Sequence, residues 1–243
     1  MKLSHYKHDS PFSYTLGATL SYELFKTSPD LIQRVFLRPD IKHGEDLTMI
    51  LNELRQHKID IIESIKAFNI LNAKENCLLI AEFSKPSTLL NHDQNQPHIV
   101  LVNPSDAGNL GTIMHTAVAF GFHDLAIITP AVDPYDPKTI RASMGAIFHL
   151  NVEQFSSFDD YLQSGANSRT LYSFMLNSDA QTLESTIAPN HNYGLIFGNE
   201  ASGLPSEFAQ NTKAIYIPQS PEVDSLNLSI AVGIALHHFK NNS

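Results

Sequence analysis

A chain of 243 residues with 42% hydrophobic content is long enough for one large domain or two ordinary ones, and it can fill a core. The single cysteine, Cys77, excludes an internal disulfide framework and a thiolate metal cluster, and no run approaches the roughly 20 apolar residues of a membrane span. The net charge of −9 argues against a basic surface spread over the whole chain, as binding along nucleic-acid phosphates would favour.

The charge is unevenly placed. Residues 1–95 carry 11 Lys+Arg against 12 Asp+Glu, and residues 96–243 carry 5 against 13. An RNA partner would meet Arg34, Arg38, Lys42, Arg55 and Lys58 first; a scatter of solvated charges is the competing reading. Met1–His8 lacks the apolar core of a signal peptide, so a soluble, cytoplasmic protein is the expectation.

In chain order, an amphipathic stretch over 17–26 precedes an apolar strand over 33–37 and a helix over 45–57. Short β-type runs over 59–62 and 77–83 bracket a further helical segment, with Cys77 in the core. Together these predict a small α/β domain over 1–90. The polar, turn-rich stretch from Ser84 to Pro97 reads as a linker.

Beyond it, aliphatic runs at 98–102, 125–129, 150–153, 171–175, 193–197 and 214–217 alternate with helix-length segments. That alternation predicts βαβ units and a mainly parallel sheet in a second domain over 97–243. Phe120 and Met144 are expected in its core. Ligands of such sheets lie beyond the carboxyl ends of strands, which directs attention to the loops after Val102, Phe197 and Ile217.

The first loop, from Asn103 to Gly111, runs into a helix that Gly121 is placed to cap. Gly108 and Gly111 permit close backbone approach, yet the loop is neither a dinucleotide fingerprint nor a P-loop. The second loop sets Glu200 between Gly198 and Gly203 at the end of a buried strand. A charge there must be hydrogen-bonded, so Glu200 is either a structural acceptor or a group that orients substrate. In the third loop Ser225 is a candidate N-cap for a long helix. Leu226, Ile230, Ile234 and His238 mark one face of that helix at spacing four, as in a buried C-terminal helix. His237 and His238 point about 100° apart on a helix, which favours surface or dimer-interface roles over a metal site.

G-N-L-G-T-I followed by T-A-x-A-F-G, then I-F-G-N-E-x-S-G-L-P, then I-P-x-S with a later S-L-N-L-S-I-A, resemble in order and spacing the three motifs of the SpoU (TrmH-like) family of S-adenosylmethionine-dependent RNA 2′-O-methyltransferases. The run from Asp133 to Ala146, which contains Arg141, resembles another segment common in that family. The likeness covers nearly all of residues 98–240, and the N-terminal unit is similar to the small RNA-binding domain often fused to such enzymes. It implies a trefoil-knotted α/β methyltransferase domain, a homodimer whose active site borrows from both subunits, and tRNA or rRNA as partner; the residues themselves show no metal-ligand cluster, so no metal is expected. By the same likeness, Gly198, Ile217 and Leu226, with Leu195, Phe197, Asn199 and Pro218 nearby, would hold S-adenosylmethionine. Asn109, Glu200, Ser225 and Asn227 would order the site and orient substrate.

One position departs from the family pattern. Four residues after Gly111, where the family usually has arginine, stands His115. A neutral imidazole is a better proton acceptor than guanidinium, so His115 could be a substitute base. It cannot copy bidentate phosphate binding, which could pass to Arg141. The alternative is an RNA-binding protein that keeps the knotted fold but is catalytically impaired.

Overall fold

β-branched and aliphatic runs alternate with amphipathic helices along the whole chain, and they sort into two sheets. The structure is a computed structural model describing residues 3–41, 44–91, 96–176, 180–187 and 192–241; Lys42 lies outside these. Two compact units emerge. The first joins Met1–Pro86 to Asp133–Phe148, and the second joins Ser87–Val132 to His149–Ser243.

The first unit contains β1 (Phe12–Leu16), α1 (Ala18–Thr27), β2 (Ile32–Leu37), α2 (Glu45–Gln56), β3 (Ile61–Glu63), α3 (Ile65–Ile70) and β4 (Leu79–Ser84). Its sheet has the order β1-β4-β2-β3, antiparallel except between β2 and β3. Helix α2 buries Leu47, Ile50, Leu51 and Leu54, the stripe that a period of 3.6 generates. Arg34 stands opposite Glu82 in the β2–β4 ladder and pairs with it at 2.9 Å. Arg38, only 9% exposed, bonds Asp40 and the carbonyl of Glu75. Two of the five basic residues considered for RNA contact therefore brace this unit internally, whereas Arg55 and Lys58 are exposed.

The second unit is built on β5 (His98–Val102), α4 (Ala107–Phe120) and β6 (Asp124–Ile128). After α5 (Pro137–Ala142), which belongs to the first unit, come β7 (Asn151–Phe155), α6 (Phe158–Gln163), β8 (Thr170–Phe174), β9 (Gln181–Thr182), β10 (Tyr193–Phe197), α7 (Phe208–Asn211), β11 (Lys213–Tyr216) and α8 (Leu228–Asn241). All pairings in its seven-stranded sheet, order β7-β6-β5-β10-β8-β11-β9, are parallel. Every residue of β5, β6 and β10 is buried, as strands covered on both faces must be. The chain steps outward from β5 to β7 and then returns to the other side of β5. The loops after β5 and β10 consequently lie side by side where strand order reverses, the usual place for a ligand.

Several sequence expectations need correction. Asp133–Phe148 packs with the first unit, although it falls within the 97–243 stretch expected to form the second domain. Ser13 Oγ donates to the Tyr135 carbonyl, Phe148 meets Phe83 edge-on at 5.4 Å, and Asp133 accepts from Tyr6 and pairs with His8 and Lys85. Met144 is 67% exposed rather than core, and Phe120 is half-buried. In α8 the cap is Asn227, whose Oδ1 accepts from Ser229 N at 2.9 Å, and not Ser225. Its buried face is Leu228, Val232, Ala235, Leu236 and Phe239, while Ile230 and Ile234 are 54% and 40% exposed.

The linker is also more committed than its composition suggests. Thr88 Oγ1 donates to Val152 O (2.6 Å) and accepts from Val152 N (3.0 Å), and Leu90 N donates to Glu153 Oε2 (2.8 Å). Leu90 is buried among Val100, Ala126 and Phe155.

Candidate active site

The three loops read from sequence converge beyond the carboxyl ends of β5, β10 and β11. A cavity of about 520 Å³ is lined there by Phe197 to Leu204, by Ile217, Gln219, Ser225 and Leu226, and by Phe174, Met175 and Leu176 at the end of β8. Gly198 is required by sterics. A Cβ built on it would lie 2.2 Å from the Gly203 carbonyl carbon and 2.4 Å from Leu204 N, so any side chain would force the two strands of the loop apart.

Glu200 joins the first and second loops. Its Oε2 accepts from Ser105 N (3.1 Å) and Ser105 Oγ (2.8 Å), and its Oε1 from Asp106 N (3.2 Å) and Asn109 Nδ2 (3.3 Å). Partial burial alone would raise its pKa. The donors, including its own N–H, outweigh burial and hold the carboxyl below the usual carboxylate value. These are the bonds of a structural acceptor, one of the two readings open from sequence, and Asn199 Nδ2 adds a longer one to Oε2 at 3.4 Å.

The third loop joins through Asn227, whose Nδ2 donates to Asn109 Oδ1 at 3.0 Å. A relay therefore runs from the start of α8 through Asn227, Asn109 and Glu200 to the start of α4. Asp106 caps α4 by accepting from Asn109 N at 2.7 Å, and Gly121 ends it in the left-handed conformation (φ 80°) that glycine adopts freely.

Of the residues expected to hold a cofactor, Phe197, Gly198, Asn199, Ile217 and Leu226 line the cavity. Leu195 is fully buried in mid-strand and Pro218 is exposed; neither reaches the lining. Glu200 and Ser225 line it also, with Asn109 and Asn227 attached through the relay. His115 is exposed on α4, six positions beyond Asn109, and outside the cavity lining. Arg141 is exposed on α5 in the first unit. Sequence reasoning missed Ser105, which donates twice to Glu200, and the β8 wall. The same carboxyl-end rule that singled out three loops applies equally to the one after β8.

An open parallel sheet whose carboxyl-edge loops enclose a cavity defines a ligand-binding α/β protein. Residues 96–237 match the model of the SpoU rRNA Methylase family, and the chain belongs to that family. Over 138 residues it is 30% identical to the Bacillus subtilis 23S rRNA (guanosine(2553)-2′-O)-methyltransferase RlmP, a match covering 56% of this chain and 54% of that one. Over 152 residues it is 32% identical to the Pectobacterium atrosepticum tRNA (cytidine/uridine-2′-O-)-methyltransferase TrmJ, covering 58% and 63%. The chain thus spans about half the length of the curated relatives it matches. In three dimensions it resembles an AdoMet-bound rRNA methyltransferase from Sinorhizobium meliloti, with TM-score 0.80, 22% identity, and 94% and 86% of the two chains covered. At that identity the likeness concerns the fold. Among the described residues, no helix is long and apolar enough to cross a membrane.

Proposed function

We propose that this protein transfers a methyl group from S-adenosylmethionine to a ribose 2′-hydroxyl of tRNA or rRNA in the cytoplasm. The observation that carries this reading is the relay Asn227–Asn109–Glu200–Ser105, which ties the first family motif to the second and third, whose residues line the cavity. The cavity suits such a donor: apolar Phe174, Ile217 and Leu226 can cover a purine, and the main chain bared at Gly198 can meet its polar edge. The names of RlmP and TrmJ supply the acceptor class.

When bound, S-adenosylmethionine supplies a methyl already activated on a sulfonium. The protein's own task is then to align the ribose hydroxyl and receive its proton. Glu200 keeps the loops aligned and is not the proton acceptor. His115 takes that part, with Arg141 left to phosphate. Because His115 lies outside the lining of its own chain's cavity, the reading includes a homodimer. The outward faces of the packed helices α4 and α8, with Thr112, His115 and Ala119 on one and Ile230, Ile234 and His237 on the other, meet a second copy. The knotted threading of the second unit, and RNA contact by residues 1–90 through Arg55 and Lys58, belong to the same proposal.

The test is incorporation of labelled methyl into total cellular RNA, with ribose methylation mapped in cells with and without the protein. Donor binding without incorporation would favour an RNA-binding protein instead. Replacing Ile230 and Ile234 together by Glu should yield a monomer by light scattering that binds donor but transfers no methyl.

A further inference from the structure

We propose that Asn103 is a positioning residue for the donor cavity, bracing its second loop from the neighbouring strand through Asn199. The inference rests on the donor-site reading above, and no family motif quoted from the sequence includes Asn103.

Asn103 follows β5 with φ 53°, a left-handed conformation that asparagine tolerates better than most non-glycine residues. Its N–H donates to the Ile128 carbonyl at 2.9 Å. Its Nδ2 donates to the carbonyl of Pro130 at 3.2 Å and reaches that of Ile128 at 3.4 Å. Backbone and side chain together tie the carboxyl end of β5 to that of β6, which fixes the direction of the Asn103 carbonyl.

That carbonyl accepts from Asn199 Nδ2 at 2.8 Å. Asn199 then serves the loop with its remaining polar atoms. Its Oδ1 accepts from Ala201 N (2.9 Å) and Ser202 N (3.2 Å), and its carbonyl accepts from Gly203 N (2.9 Å). Residues 199–203 all line the cavity. The shape of this wall is therefore set from β6 through Asn103, which lies outside the cavity lining, and passed on by Asn199, which lies within it. Glu200 fastens the same loop from the side of α4, and Asn199 Nδ2, which also reaches Glu200 Oε2 at 3.4 Å, joins the two braces.

The experiment uses the full chain with Asn103→Gly, which keeps the left-handed turn and deletes only the side-chain bonds. Asn103→Asp is the companion, keeping size and turn tolerance while losing the donor. Both are titrated with S-adenosylmethionine by calorimetry, and the free proteins are compared by amide hydrogen exchange. The expected result is a donor Kd about tenfold weaker in both variants. In turnover, donor KM should rise with kcat at saturating donor retained, and the amides of Ala201, Ser202 and Gly203 should exchange faster. Wild-type Kd and exchange in either folded variant overturn the proposal, as does lowered stability with an unchanged Kd. If wild type takes up no S-adenosylmethionine, the functional reading fails and exchange alone decides: faster exchange at the three amides keeps the brace, and unchanged exchange removes it.

Discussion

Two regions of the second unit, scarcely a helix length apart in sequence, are built on opposite plans. Around the cavity, the motif amides and carboxylate are engaged with another loop of the same chain: Glu200 with Ser105, Asp106 and Asn109, Asn199 with Asn103, and Asn109 with Asn227. On the outward faces of α4 and α8, His115, Ile230 and Ile234 stand exposed. On the proposed function, donor binding is a property one chain completes, whereas transfer depends on what meets the outward face. Substitutions should accordingly divide into those that abolish donor affinity and those that spare it.

The largest effect is expected at Gly198. Gly198→Ala should cost about 3 kcal/mol in thermal unfolding and abolish measurable donor binding, because its Cβ overlaps backbone. A variant with normal affinity would break the comparison outright.

Glu200→Gln comes next. It should weaken donor binding about tenfold by replacing charge-assisted bonds with neutral ones. Its pH dependence sharpens the point. Because the folded pKa is depressed, the stabilisation is present above the unfolded value and is lost as pH falls through the lower folded one. Acid titration of donor affinity should therefore show a decline in wild type that Glu200→Gln lacks; identical profiles would remove Glu200 from the relay.

Asn227→Ala, deleting the cap of α8 and its link to Asn109, should cost about 1 kcal/mol, read from denaturant midpoints. The smallest effect on donor affinity belongs to His115→Ala, with Kd within about twofold of wild type and methyl transfer to RNA reduced. Should His115→Ala match wild type in rate while His115→Arg surpasses it, the imidazole is not the base.

The second unit was the more legible half. The strands at 98–102 and 193–197 were read to the residue, since a fully buried parallel strand is an uninterrupted apolar run with polar turns at both ends. β1 and the two-residue β9 escaped notice because neither shows such a run. Ile230 and Ile234 were misjudged for a related reason: helical spacing identifies a stripe but not which of two apolar stripes faces the core, and α8 has another through Val232, Leu236 and Phe239. The motif residues of the site could be named from the family likeness. The partners that decide their roles, Ser105 for Glu200 and Asn103 for Asn199, lie more than 90 positions away, and no local pattern encodes such pairings.

The bonds of Thr88 to Val152 carry a practical consequence. β7 is an outermost strand, and an uncovered parallel edge is a template on which other chains add and aggregate. One hydroxyl, acting as both donor and acceptor, occupies the exposed peptide groups of Val152, and Leu90 plugs the core beneath. A fragment cut at residue 97, where composition suggests a clean boundary, would discard this edge guard. A fragment beginning at Ser87 would retain it, so the segment that reads as a spacer is the selvedge that keeps the sheet from unravelling into its neighbours.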